Sequence, residues 1–100
     1  MPYGLPPETI ARIHGVLMAH PGIEQATLYG SRAKGNYRDG SDIDLCLVGE
    51  TITLAEQLKI ESELDDLLLP YKMDLSRFHA LGNPELVDHI RRVGKVFYPA

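Results

Sequence analysis

The chain has 100 residues, of which 44% are apolar and 24% charged, and its net charge is −4. That length allows one hydrophobic core and that composition belongs to a soluble globular domain, so a single domain over residues 1–100 is expected and a disordered chain is excluded. No apolar run approaches the roughly 20 residues of a membrane span, and the acidic balance removes the basic footprint on which nucleic-acid binding depends.

Met1-Pro2-Tyr3-Gly4 lacks the basic-then-apolar order of a signal peptide, so a cytoplasmic location is expected. The single cysteine, Cys46, excludes an internal disulfide and reads as a small buried residue rather than a reactive thiol. Leu5-Pro6-Pro7-Glu8 opens a first helix, with proline suited to the first turn and Glu8 to the positive end of the dipole. Ile10, Ile13, Leu17 and His14 recur at helical spacing, and His20-Pro21-Gly22 stops the helix. Nothing near His14 or His20 completes a metal set, so both read as surface or helix-end residues.

Ile23 to Tyr29 predicts a short strand running into Gly30-Ser31. A strand–turn–helix junction leaves unsatisfied backbone N–H groups at the end of a sheet, where a phosphate can be received. Ser31 can also cap the helix that follows, and the two roles are compatible. Arg32 and Lys34 lie in its first turns, as phosphate contacts or as solvated charge. Asn36 to Ser41 is turn-rich. Asp42-Ile43-Asp44-Leu45-Cys46-Leu47-Val48 then predicts a second strand. Alternation points Asp42 and Asp44 to one face, roughly 6.5–7 Å apart at Cα, with Ile43, Leu45 and Leu47 on the other. Two carboxylates on one face repel, and Mg²⁺ relieves that repulsion while providing a place for a triphosphate.

Thr51 to Leu69 predicts the longest helix, with Thr53-Leu54-Ala55-Glu56 as a capping box. Its leucines and Ile60 spread over a wide arc, which implies burial against the sheet plus a second contact with another helix or a partner protein. Tyr71 to Ser76 alternates as a strand, with Asp74 on its polar face. Asn83-Pro84-Glu85 caps a last helix whose stripe is Leu86, Ile90 and Val93. Arg91, Arg92 and Lys95 complement its C-terminal dipole on a solvated face, with an acceptor-binding patch as the alternative; Val96 to Pro99 is an apolar tail that packs back, and His79 and His89 have no evident partners. The order of elements predicts an α/β (α+β) fold with a small mixed sheet of three or four strands and helices mainly on one side.

Gly30-Ser31, ten residues and then Asp42-Ile43-Asp44 resembles the signature of the nucleotidyltransferase superfamily typified by DNA polymerase β. The resemblance covers nearly the whole chain and is strongest to the minimal nucleotidyltransferase (MNT) proteins. It implies a third acidic ligand on a following strand, which Asp74 matches in order and context. It further implies that Asp42, Asp44 and Asp74 hold two Mg²⁺ ions and that Gly30 and Ser31, with Arg32 and Lys34 as candidates, hold the phosphates of ATP. Stand-alone MNT proteins pair with HEPN-domain toxins as antitoxins and add AMP to a toxin tyrosine. A hetero-complex with a HEPN partner is therefore implied. The alternatives are an antitoxin that neutralises by contact alone and a small-molecule nucleotidyltransferase.

Overall fold

Ile43, Leu45 and Leu47 are fully buried while Asp44 between them is only half-buried, so the strand splits between its two faces as its period predicts. The computed structural model describes residues 1–99. After a single turn at Pro2–Gly4 come α1 (Pro7–Met18), β1 (Gln25–Tyr29), α2 (Ser31–Lys34), β2 (Ile43–Val48), α3 (Leu54–Asp65) and β3 (Met73–Arg77). A second short turn at Phe78–Ala80 leads to α4 (Pro84–Val93) and β4 (Lys95–Tyr98).

The sheet order is β3-β2-β1-β4. β1 runs antiparallel to both β2 and β4, whereas β2 and β3 are parallel. A parallel pair needs a crossover, and α3 provides it. The mixed α/β architecture expected from the sequence is therefore present, with four strands. The apolar tail packs back as expected, and it does so as a strand: Val96 to Tyr98 belongs to β4, which pairs with β1. Phe97 is buried in the core while Val96 faces outward, which is a strand's alternation.

One face of the sheet, carrying Ala26, Leu28, Ile43, Leu45 and Leu47, packs against Ile13 and Leu17 of α1 and Ile60 and Leu64 of α3. α4 lies on the other face, where His89 meets Tyr29 and Gly94 packs against Thr27. The caps follow the sequence. Thr53 Oγ1 accepts from the Glu56 N–H at 3.1 Å, and Asn83 Oδ1 accepts from Glu85 N–H at 2.9 Å. The wide arc of α3 is only partly covered, since Ile60 and Leu64 are buried but Leu54 and Leu58 are each 55% exposed.

His20 follows the end of α1, as the helix-end reading has it, but it is not on the surface. It is 7% exposed, with Nδ1 3.2 Å from Glu56 Oε2 and Nε2 2.8 Å from Glu63 Oε1. The ring ties the end of α1 to two points on α3 that lie two turns apart. Replacing His20 with alanine removes both contacts and is expected to lower stability by about 1–3 kcal/mol, measured by urea unfolding at neutral pH.

Candidate functional site

The register of the sheet builds a row of three side chains. Tyr29 of β1 stands opposite Asp44 of β2, and Asp44 stands opposite Asp74 of β3. Alternation points all three away from the core, and neighbouring strands are about 4.8 Å apart. Asp42 lies in the segment that leads into β2, two residues before Asp44. The next row on the same face is Thr27, Cys46 and Ser76.

Like charges dominate this row. The Asp44 carboxyl is held above the usual carboxylate range, first by burial and then by the charges of Asp74 and Asp42. His89 and Lys72 pull it the other way. Burial also raises the Tyr29 phenol, and Asp44 and Asp74 add to that. Among the described residues no basic side chain forms an ion pair with Asp42, Asp44 or Asp74. The donor set is made of oxygens only and is mutually repelling, which suits a hard divalent cation. Among the described residues no three His, Cys, Asp or Glu side chains stand close enough together to hold an ion. Asp44 and Asp74 are paired across β2 and β3, and Asp42 is near enough for its charge to act on Asp44.

The Gly-Ser turn abuts this pair. Gly30 has φ 73° and ψ −156°, and a Cβ there would overlap the Asp44 carboxylate. Glycine is required twice, by backbone conformation and by the space that Asp44 fills. Gly30 occupies the cap position of α2, so Ser31 is the first helical residue and its hydroxyl makes no capping bond. Lys34 is exposed at the far end of α2, three residues after Ser31.

Arg32 corrects its sequence reading, both as a phosphate contact and as a solvated charge. It is 3% exposed, and three of its guanidinium N–H groups donate to the carbonyls of Ser41 and Tyr3. It faces into the protein because its planar fork matches those carbonyls and two tyrosine rings lie beside it.

His89 is the residue that sequence reasoning missed. Its Nε2 accepts the Gly30 N–H at 3.3 Å, and its ring meets that of Tyr29 edge-on with centroids 6.1 Å apart. It lies on α4, nearly sixty residues away in sequence, and only the packing of α4 across the sheet brings it here. Its position on the helix, one residue before Ile90 and three after Leu86, places it beside the apolar stripe, which was the available signal. Cys46 is buried as expected, and burial raises its thiol.

Residues 11–100 match the family model described as polymerase beta, nucleotidyltransferase. None of the curated proteins is significantly similar to the chain in sequence. Among solved structures, a toxin–antitoxin with AMP-PNP is 20% identical, with a TM-score of 0.73, over 91% of this chain and 73% of that one. The complex of a tri-AMPylated Shewanella oneidensis HEPN toxin with its MNT antitoxin is 18% identical, with a TM-score of 0.69, over 93% and 71%. A minimal nucleotidyltransferase is 29% identical, with a TM-score of 0.69, over 92% and 96%.

The raised Asp44 carboxyl has a signed consequence for stability. The folded state binds the Asp44 proton more tightly than the unfolded chain does. Stability therefore falls as pH rises from the ordinary aspartate value of 3.8 through the raised one. Asp44→Asn lacks that loss. In metal-free buffer the variant is expected to unfold at a higher temperature than the native protein at neutral pH. The gain should vanish below the ordinary value, as thermal unfolding with chelator across the acidic range would show.

Proposed function

We propose that this chain, which belongs to the polymerase beta nucleotidyltransferase family, transfers AMP from ATP to a tyrosine hydroxyl of a HEPN-domain partner and so acts as that toxin's antitoxin. The observation that carries the reading is the Asp44–Asp74 pair, set across parallel strands against a glycine that leaves no room for a side chain. A repelling pair beside a turn rich in N–H groups is suited to receiving a triphosphate together with a cation. The likeness in fold to toxin–antitoxin structures, one with AMP-PNP and one with a tri-AMPylated toxin, supports the nucleotide and the partner.

Asp42, Asp44 and Asp74 would hold Mg²⁺, two ions in this reading, and the metal when bound supplies positive charge to the triphosphate and acidifies the acceptor hydroxyl. Gly30 and Ser31 bind the β- and γ-phosphates through backbone N–H and hydroxyl. Lys34 adds a flexible point charge. The Gly30 N–H is held by His89 Nε2, so a phosphate oxygen that takes that N–H displaces the imidazole. Asp74 takes the proton of the acceptor hydroxyl as its oxygen bonds to the α-phosphorus. The bond from that phosphorus to the bridging oxygen breaks, and pyrophosphate leaves with the electron pair.

The partner contributes the acceptor. Leu54 and Leu58 on α3, and Leu68 at 87% exposure beyond its end, offer apolar surface that a partner chain would cover. The net charge of −4 disfavours a polynucleotide in that role.

The decisive measurement mixes the protein with ATP, Mg²⁺ and the product of the neighbouring gene, the expected source of a HEPN-domain partner, and reads intact mass. The partner is expected to gain one or more AMP units. Chelation of the metal, Asp42→Asn or Asp44→Asn should each abolish the gain while the two proteins still associate. A stable complex without any change in mass would overturn the enzymatic reading in favour of neutralisation by contact.

A further inference from the structure

A buried arginine needs partners for its donors, and those of Arg32 are distributed in an informative way. Its Nε and Nη2 both donate to the Ser41 carbonyl, at 3.1 and 2.9 Å, and Nη1 donates to the Tyr3 carbonyl at 2.9 Å. The guanidinium carbon lies 5.4 Å from the centre of the Tyr37 ring and 4.9 Å from that of Tyr71. Both distances are in the range where a cation is attracted by an aromatic face.

Each partner leads to a part of the candidate site. Ser41 immediately precedes Asp42. Tyr71 immediately precedes Lys72, whose carbonyl accepts the Ile43 N–H at 2.9 Å and which lies two residues before Asp74. Arg32 itself directly follows Ser31. One guanidinium thus touches the chain next to the Gly-Ser turn, next to Asp42 and at the approach to Asp74. The loop from Asn36 to Ser41 closes on itself through Arg38 N–H to Ser41 Oγ at 2.8 Å and Ser41 N–H to Arg38 O at 3.0 Å. Those bonds shape the loop but do not fix it to α2, whereas Arg32 does.

We infer that Arg32 is a positioning residue. Its guanidinium sets the distance of the Gly30-Ser31 turn from Asp42 and from the Asp44–Asp74 pair, and so sets the geometry in which the carboxylates receive a divalent cation together with a nucleotide. The inference rests on the nucleotidyltransferase reading above and adds a residue that touches neither substrate nor metal. A cleft of about 230 Å³ opens beside Arg32, Tyr37 and Tyr71, so a shortened side chain admits water there and loosens the loop.

The test compares the native chain with Arg32→Met and Arg32→Lys. AMP-PNP is titrated by calorimetry with and without Mg²⁺, and AMP transfer to the HEPN-domain protein is followed alongside. In the methionine variant, metal-free AMP-PNP affinity should stay within about threefold of native, the strengthening by Mg²⁺ should shrink about tenfold, and kcat should fall about 10- to 100-fold with little change in KM for ATP. Lysine should lie between, since one ammonium reaches one carbonyl but cannot fork. A purely structural role would lower the unfolding temperature and leave the Mg²⁺ dependence per folded molecule unchanged. If Arg32→Met does not fold, Tyr71→Leu removes one ring from the guanidinium and should shift the same readouts in the same direction by a smaller factor. Native Mg²⁺ dependence and native kcat in folded variants overturn the inference. Failure of Mg²⁺ to strengthen AMP-PNP binding to the native chain removes the nucleotidyltransferase reading itself, and the inference with it.

Discussion

The parallel register of β2 against β3 is the constraint on which the candidate site depends. Asp44 faces Asp74 because Ile43 faces Met73 and Leu45 faces Leu75. The apolar residues decide this, since a slip of one residue in β2 would turn Asp44 into the core and Ile43, Leu45 and Leu47 into water. Burying Ile43, Leu45 and Leu47 is worth about 1.5–3 kcal/mol each. Placing like charges directly across a strand pair is destabilising, on a scale where favourable cross-strand pairs are worth about 0.2–1 kcal/mol. The non-directional hydrophobic term is therefore large enough to hold two anions where electrostatics alone would separate them.

The rest of the site is arranged around that pair by elements far apart in the chain. Gly30 admits the Asp44 carboxylate by having no side chain of its own. α4 crosses the sheet on the face that carries the carboxylates and brings His89 to the Gly30 N–H. Arg32 secures the loop from beneath, using donors that would otherwise be free to meet phosphate. Two residues of similar appearance in sequence, Arg32 and Lys34, thus part company. The arginine fork matches buried carbonyls and aromatic faces, while the lysine remains a hydrated point charge outside.

What could be read from the sequence followed from short-range periodicity. The alternation around Asp44 and Asp74, the caps at Thr53 and Asn83 and the strand–glycine junction at Tyr29-Gly30 all depend on neighbours within a few residues. What could not be read depends on packing between distant segments. β4 is too short to show a period of its own, and it becomes a strand because β1 offers it a free edge. His20 is enclosed by two glutamates of a helix more than thirty residues later, and His89 reaches Gly30 only once α4 has docked. Histidines have no strong positional preference in sequence, so their roles emerge only with the tertiary contacts.

The electrostatics of the pair also bear on the choice between an enzyme and a domain that works by contact alone. A contact surface gains nothing from an aspartate whose ionised form is opposed by burial and by two neighbouring carboxylates. An asparagine of nearly the same shape would remove the repulsion and still fill the space left by Gly30. For a nucleotidyltransferase the same repulsion is useful, because it is relieved when a cation and a triphosphate arrive together, and the relief adds to their binding. The arrangement is unfavourable in the free protein and would be favourable in a loaded one, and that asymmetry is the physical argument for the proposed catalytic reading over neutralisation by contact.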